Sequence, residues 1–565
     1  MNKLTSSKYW WVYLIIIIVA VNLIASQFHY RLDLTKEKRY TLSEPTRKLL
    51  SNLDDNINVD IFLKGDLKAG IKKLSKSTEE LLSEFKEYGR GKIHFRFFDP
   101  LTDLDDSAKK SLIDSLNKMG IQPMTQVAQS KKGEEQSERF VLPGAIVKYK
   151  ERIFPINLLK GVNNTDEYTF YNNAEALLEY KFANAIDKVT EKELPSVGYV
   201  MGNGEPLDFS VYNLIEGLRK NYNFGIVKLD SLETIPSQFN AIVIVKPTNK
   251  FADKEKLKLD QYVLHGGNLI CMIDNLHAEM DSLRLDKETL AYDRGLNLED
   301  LFFKYGARIN QDLVQDMQCA TINFVVGMTG DKPQMQALPW PYFPLLSGSL
   351  THPISKNLDP VYSKFTNSVD TVKANGIEKS ILLQTSANGH IVGAPAIISF
   401  ESVKVANDPK IFNQPNIPAA VLLEGKFNSL YANRISSGMI DTLANIYKKP
   451  FLTVGEKESK IIICGSSGVV MNDVTQRGPA PMGYNKDINY TFANQDFIQN
   501  CLDYVVSTSG ILETRSKDFT LRLLDPKKVE DNRTFWQFIN IVLPLLLVII
   551  AGFIFQWIRK RKYSK

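Results

Sequence analysis

The sequence predicts an α/β protein whose body is held between one transmembrane helix at each end. Three observations carry this: an apolar run near either terminus, a first region patterned β-α-β-α-β-β-α, and a second region of short apolar strands spaced by amphipathic helices. At 565 residues the chain is too long for one hydrophobic core. Its content of 44% hydrophobic and 24% charged residues is that of a folded protein and excludes extensive disorder.

Residues 9–25 are apolar except for Asn22 and open with Tyr9, Trp10 and Trp11, aromatics suited to a membrane boundary. That run just spans a hydrocarbon layer of roughly 30 Å at about 1.5 Å per residue. A cleaved signal peptide has a similar outline, but no small-x-small cleavage site follows, so an uncleaved anchor over 1–29 is expected. Residues 535–558 form the second apolar run, broken only by Gln537, Asn540 and Gln556 and followed at once by Arg559-Lys560-Arg561-Lys562. Pro544 within it is tolerable in a membrane helix.

The formal charge of +5 belongs to these ends. Lys3, Lys8, Arg559, Lys560, Arg561, Lys562 and Lys565 flank the two runs, and without them 62 basic residues face 64 acidic ones. The basicity therefore reads as topology, with both termini cytoplasmic and the bulk of the chain periplasmic, and no nucleic-acid partner is expected.

The first body domain is expected over 30–190. Strands are predicted at 57–63 and 93–98 and a hairpin at 145–156, with a short extended piece near Val127. Helices are predicted at 71–88, 107–119 and 172–189; Ile71, Leu74, Thr78, Leu81, Leu82 and Phe85 share one face of the first. The order matches a thioredoxin-like topology, yet nothing before the first helix supplies the paired cysteines of that redox chemistry.

A charged stretch ending in Pro195 marks the boundary to a second domain, 191–510. Strands at 197–201, 226–229, 241–245 and 269–273 alternate with helices at 209–221 and 254–265, predicting a mostly parallel, doubly wound sheet. Strands at 419–423 and 460–464 are expected to join it after an irregular, Pro-rich insertion over 330–418. A helix over 494–506 closes the domain, and a linker over 511–534 leads to the C-terminal helix and basic tail, 535–565.

Chemistry-bearing motifs are sparse. Gly202-Asn203-Gly204-Glu205 sits where a phosphate-cradling loop would, but Glu205 and Pro206 replace the amide donors and neutrality an anion needs, so a structural turn is the favoured reading. Gly465-Ser466-Ser467-Gly468 misses the nucleophile-elbow spacing, leaving no strained turn to expose Cys464 or Ser466. The six histidines are scattered without metal-ligand spacing. None of the four cysteines forms a C-x-x-C pair, and Cys271 and Cys464 end apolar runs as small buried hydrophobes would. No catalytic residue, cofactor or metal is expected. The aromatic cluster of Trp340, Tyr342 and Phe343 is a candidate partner-binding surface, with packing of a loop onto the sheet as the equal alternative.

Ordered motifs along the chain resemble the auxiliary family of ABC-type transport systems, and within it the gliding-motility members of Bacteroidetes. The resemblance begins at Arg31-Leu32-Asp33-Leu34-Thr35 and Arg39-Tyr40-Thr41-Leu42-Ser43. It continues through Phe98-Asp99-Pro100, Pro143-Gly144-Ala145 and Gly202-Asn203-Gly204-Glu205, where the family usually has histidine in place of Asn203. Asp260-Gln261-Tyr262, Gly266-Gly267, Asn494-Gln495-Asp496-Phe497 and Arg522-Leu523-Leu524-Asp525 complete it. It implies a multispanning permease and a cytoplasmic ATPase as partners, besides membrane lipid and extracytoplasmic gliding partners. It also implies that the second domain is amidotransferase-like but stripped of catalytic residues. The turn after Cys464 departs from the acidic, glycine-rich turn of relatives. A non-catalytic, membrane-anchored auxiliary subunit is the expected function; a solute receptor and a hydrolase or amidotransferase are the alternatives.

Overall fold

The computed structural model describes residues 15, 19, 41–516 and 533–563, apart from 66, 103, 130–135, 160–166, 287, 330–331, 406–407, 409, 436–437, 439–444, 446–449 and 508. Met1–Lys517 forms one compact unit and Asp518–Lys565 a second. Apart from Ile15 and Val19, the expected N-terminal anchor lies outside the described residues, as do Arg31, Asp33, Leu34, Thr35 and Tyr40 of the family motif.

Helix α1 (Glu44–Ser51) leads into strand β1 (Ile57–Ile61), helix α2 (Ala69–Tyr88), strand β2 (Ile93–Phe97) and helix α3 (Asp106–Lys118). Strands β3 (Met124–Gln129) and β4 (Gln136–Val141) pair as a hairpin; β5 (Gly144–Tyr149) and β6 (Arg152–Asn157) form another. The four-stranded sheet runs β2-β1-β5-β6, with β1 and β2 parallel and β5 antiparallel to both neighbours. Ile71, Leu74, Thr78, Leu82 and Phe85 are the buried stripe of α2, the 3.6-residue period that places a helix on a sheet. The single helix expected over 172–189 is two: α4 (Glu167–Ala176) and α5 (Leu178–Thr190). Buried side chains occur along the whole length of α5, from Leu178 to Val189.

Strand β7 (Ser196–Met201) opens the second sheet. After it come helix α6 (Tyr212–Asn221), strands β8 (Asn223–Lys228) and β9 (Ala241–Val245), helix α7 (Asp253–Leu264) and strand β10 (Asn268–Met272). The chain continues through β11 (Leu276–His277), α8 (Met280–Asp286), β12 (Glu288–Asp293), α9 (Glu299–Tyr305), β13 (Ala307–Ile309) and β14 (Asp312–Asp316). Residues 319–425 then supply β15 (Cys319–Thr329), β16 (Lys332–Gly348), β17 (Val361–Tyr362), β18 (Val369–Thr371), β19 (Ile377–Gln384), β20 (Gly389–Gly393), β21 (Ala396–Ser399) and β22 (Pro418–Gly425). Strand β23 (Ser459–Cys464) and helix α10 (Asn494–Val506) complete the body, which ends in a 3-10 turn, Ile511–Ser516.

Among the described residues this sheet has ten strands, nine of them in the order β15-β16-β19-β22-β23-β10-β9-β7-β8, with β17 paired to β16. It is parallel from β8 to β23 and antiparallel beyond. The expected strands near 241, 269, 419 and 460 all belong to it, but β22 joins antiparallel. The insertion expected to be irregular instead carries six strands among its described residues, of which β16, β17 and β19 join the antiparallel half of the sheet.

Burial alternates along the central strands. Val243 and Ile270 face one core with Ile462, while Ile242, Leu269 and Ile463 face another on the opposite side. The first core runs without a break into the four-stranded sheet through Phe182, Ile186, Leu502 and Val505, so helices α5 and α10 join the two sheets.

The second unit contains helix α11 (Arg533–Tyr563), 31 residues long, which at about 1.5 Å per residue spans ~46 Å. Within Phe535–Arg561 an 18-residue window has a mean hydropathy of 2.8 and no buried side chain, and the stretch is long and apolar enough to cross a membrane.

Candidate functional site

Strand β7 is followed in the chain by β8 on one side and by β9 on the other. The chain therefore diverges between the carboxyl ends of β7 and β9, which is where open α/β sheets leave a crevice for ligands. The turn after β7 is Gly202-Asn203-Gly204-Glu205. Gly202 and Gly204 have φ of +130° and +84°, and a Cβ on Gly204 would collide with the Thr248 hydroxyl. The turn's carbonyls are used structurally: Asn203 O accepts from the backbone N–H groups of Thr248 and Asn249 at 2.9 and 2.8 Å. Glu205 Oε2 accepts from Asn203 N at 2.8 Å, and Asn203 Nδ2 donates to Glu255 Oε2 at 2.9 Å. Burial pushes the Glu205 carboxyl up to about 7.

The residue after β9 is Lys246, in the left-handed region at φ +44°. Its Nζ donates to Glu279 Oε2 at 3.0 Å, and Arg294 holds Glu279 Oε1 at 2.6 Å. Burial alone would push the Glu279 carboxyl up; Lys246 and Arg294 outweigh it and hold the group below the usual range. Beyond β10, Asp274 accepts from Ser467 N and Oγ, both at 2.6 Å. Desolvation raises Asp274, and nearby Lys246 reverses only part of that. One edge of the sheet thus gathers Glu205, Lys246, Asp274, Glu279, Arg294 and Ser467 from segments far apart in the chain. Lys246 and Asp274 directly follow predicted strands, so the rule that ligands gather at carboxyl ends could have flagged them. Glu279 and Arg294 carried no spacing signal.

The residues singled out in the sequence fare differently. Leu42 is buried, and Ser43 donates from N and Oγ to Glu179 Oε1 at 2.7 and 2.6 Å, tying the start of α1 to α5. Trp340, Tyr342 and Phe343 do not form a surface: they are 0%, 4% and 2% exposed, in a cluster with Phe365 and Leu313. Trp340 Nε1 reaches Ser402 Oγ at 2.7 Å, and its ring lies 4.7 Å from that of Phe343. Burying three large rings removes more apolar area from water than any loop conformation that exposes them, so the cluster is a core. Cys464, Ser466 and Ser467 are buried, and burial pushes the thiols of Cys271 and Cys464 up to about 12. No histidine hydrogen-bonds to Ser467 among the described residues, nor is any group of three or more His, Cys, Asp or Glu side chains there arranged around a metal.

At the opposite, amino-terminal edge of the strands lies a groove of about 980 Å³ lined by residues that include Lys258, His265, Glu424, Lys457, Lys460 and Glu513. Burial lowers the Lys460 ammonium, which sits 4.0 Å from the centre of the Tyr504 ring.

A model of the ABC-type uncharacterized transport system family matches residues 194–501, more than half of the chain. The chain belongs to this family. Membership makes it an auxiliary component of an ABC-type transport system and implies association with a transporter complex. The matched region carries both edges of the second sheet, the carboxyl-end crevice and part of the groove, whose lining continues through Val505, Gly510 and Glu513. A domain of unknown function matches residues 36–148. An uncharacterized protein of Borreliella burgdorferi is 20% identical over 557 residues, covering 94% of each chain. Among solved structures, the N-terminal domain of mmIFT52 is similar over 55% of this chain and 97% of its own, at 14% identity and a TM-score of 0.30. A ThuA-like protein of Parabacteroides merdae is similar over 56% and 90%, at 10% identity and a TM-score of 0.26. Likenesses of that size fix neither fold nor function.

Proposed function

We propose that this chain is a non-catalytic subunit of the gliding-motility type, GldG-like in its motifs, whose body stands outside the cytoplasmic membrane beside a permease and its ATPase. One observation carries the reading: the two ends of the body are neighbours. Helix α1, the first described element after the N-terminal apolar run, packs against the 3-10 turn Ile511–Ser516, the last before the C-terminal linker. Ser509 Oγ also donates to Asp187 Oδ2 of α5 at 2.8 Å, fastening the same corner. A body whose ends emerge together suits a chain tied to one bilayer by two helices, one at 9–25 and one at 535–558, with both termini cytoplasmic. On this reading the four-stranded sheet with α2 and α5 is a thioredoxin-like domain without redox cysteines. The ten-stranded sheet is an amidotransferase-like domain that has kept its framework and lost its chemistry.

Purification from native membranes in mild detergent tests the reading. A multispanning permease and an ATPase are expected to accompany the chain, and recovery of the chain alone counts against it. The groove of about 980 Å³ favours a second reading, a solute receptor for the transporter. That reading requires a small molecule to bind the purified chain at micromolar affinity or better.

A further inference from the structure

We propose that the turn at residues 202–205 binds one hard divalent cation, of the magnesium or calcium class, through Oε1 of Glu205 and Oδ1 of Asn203, with the Glu255 carboxylate completing the charge balance. The proposal goes beyond the transporter assignment and does not depend on it.

Other buried carboxylates of this chain are paired or wrapped in donors. Asp260 collects donors from Ser429 Oγ, Leu430 N, Tyr305 OH and Gln261 Nε2, at 2.6 to 3.1 Å. Asp312 is held by N and Oγ of Ser368, and Asp316 by N and Oγ of Ser386. Asp60 and Asp503 have lysine or arginine partners, Asp503 through Oδ1 while its Oδ2 is buried without a hydrogen-bond partner. Each follows the rule that a buried charge is paired, or is wrapped in hydrogen-bond donors.

Glu205 breaks that rule. It is 5% exposed; Oε2 has the Asn203 N–H, whereas Oε1 is buried with no partner. Asn203, 2% exposed, leaves a second buried acceptor in the same turn, Oδ1, equally without a partner. The amide cannot resolve this by rotating. Its Nδ2 faces Glu255 Oε2 at 2.9 Å and the Lys250 carbonyl at 3.4 Å, and a flip would set Oδ1 against those two acceptors. Glu255 is itself buried, its Oε2 also accepting from Ala252 N at 2.7 Å. Neither carboxylate has an ion pair with any lysine, arginine or histidine among the described residues.

Two buried carboxylates and two orphaned oxygens, without an ion-pair partner among the described residues, are a donor set suited to a cation. The donors are all oxygen, which selects a hard ion over zinc or copper. Two carboxylates match a double charge, and water can fill the remaining positions, as magnesium sites with one or two protein carboxylates commonly show. The glycines at 202 and 204 let the turn close tightly against residues 248–250. No spacing rule flags the set, because Glu255 lies 50 residues from Glu205 in the sequence.

The full chain in detergent, stripped with EDTA and dialysed, is titrated at pH 8 with calcium chloride and with magnesium chloride by calorimetry, alongside Glu205→Gln. Terbium luminescence, excited through Tyr199, whose hydroxyl bonds to the Pro206 carbonyl beside the turn, gives an independent readout. One saturable site per chain is expected for calcium or magnesium, weakened at least tenfold in Glu205→Gln while circular dichroism is unchanged, with calcium or magnesium displacing terbium. Absence of saturable binding in the wild-type chain overturns the proposal, and so does equal binding by Glu205→Gln. Should that variant fail to fold, terbium that binds wild-type chain but is not displaced by either ion overturns it as well.

Discussion

Lys188 and Asp503 make the most heavily buried ion pair across the seam between the two sheets among the described residues, and breaking it should loosen the body as a whole. Lys188 Nζ of α5 lies 2.7 Å from Asp503 Oδ1 of α10, with the two side chains 12% and 6% exposed. The Tyr222 hydroxyl donates to the same Asp503 oxygen at 2.7 Å, and Gln499 Nε2 donates to both Tyr222 and Asp503. Burial works against the Lys188 charge, but Asp503 outweighs it and raises the ammonium above its usual range. Replacing one member of such a pair strands the other charge, at a cost of about 3–5 kcal/mol. Lys188→Met leaves Asp503 its Tyr222 and Gln499 donors, so it belongs at the lower end. Asp503→Ala strands Lys188 and also takes the acceptor from Tyr222, adding about 1 kcal/mol. Lys188→Met/Asp503→Leu should cost well below the sum of the singles, because it buries no lone charge. Urea denaturation of the full chain in detergent, followed by circular dichroism, reads these differences. Single-variant losses of less than about 1 kcal/mol, the value of an exposed pair, would refute the claim that this seam joins the sheets.

Three further outcomes follow from the same structure. With chelator present, the Glu205 carboxyl, raised to about 7 from 4.5, keeps its proton in the folded chain at pH values where the unfolded chain has released it, so stability should fall as pH rises from about 4.5 to 7, by about 3 kcal/mol in all. Denaturation across that range should show the slope in the wild-type chain and a flat line at this position in Glu205→Gln. Trp340→Ala removes a fully buried ring and the partner of Ser402, and should cost about 3–5 kcal/mol by urea titration; a loss under 1 kcal/mol would put the ring back at the surface. Cys271, Cys464 and Cys501 are buried with thiols pushed up by desolvation, so Ellman's reagent at pH 8 should leave them unmodified until urea unfolds the chain.

The parallel core was readable because its physics is local. Ala241–Val245 is five consecutive apolar residues, all buried, and the sheet uses all five. The stripe on α2 was equally plain. The insertion was misread because Pro333, Pro339, Pro341 and Pro344 argue against a strand, which needs its N–H groups. Strand β16 accommodates them by pairing with β15 on one side, while β17 and β19 pair with it only at residues 345–348. The sequence left Trp340 even between a partner surface and packing onto the sheet; as part of strand β16 it turns into the core. The carboxyl-edge cluster was legible only at Lys246 and Asp274, which end strands. Glu279 and Arg294 reach it through the β11–β12 pairing, and the Lys188–Asp503 pair spans 315 residues, so no local pattern could announce either.

Single cysteines introduced into a chain lacking Cys319, whose other three thiols are buried, give the decisive measurement. A membrane-impermeant maleimide applied to intact spheroplasts should label Lys192→Cys, near the corner where α1 meets the 3-10 turn, and should leave Lys3→Cys and Lys562→Cys unlabelled until the membrane is opened. Labelling at either terminus in intact spheroplasts, or protection of position 192, would contradict a periplasmic body tied at both ends to one bilayer.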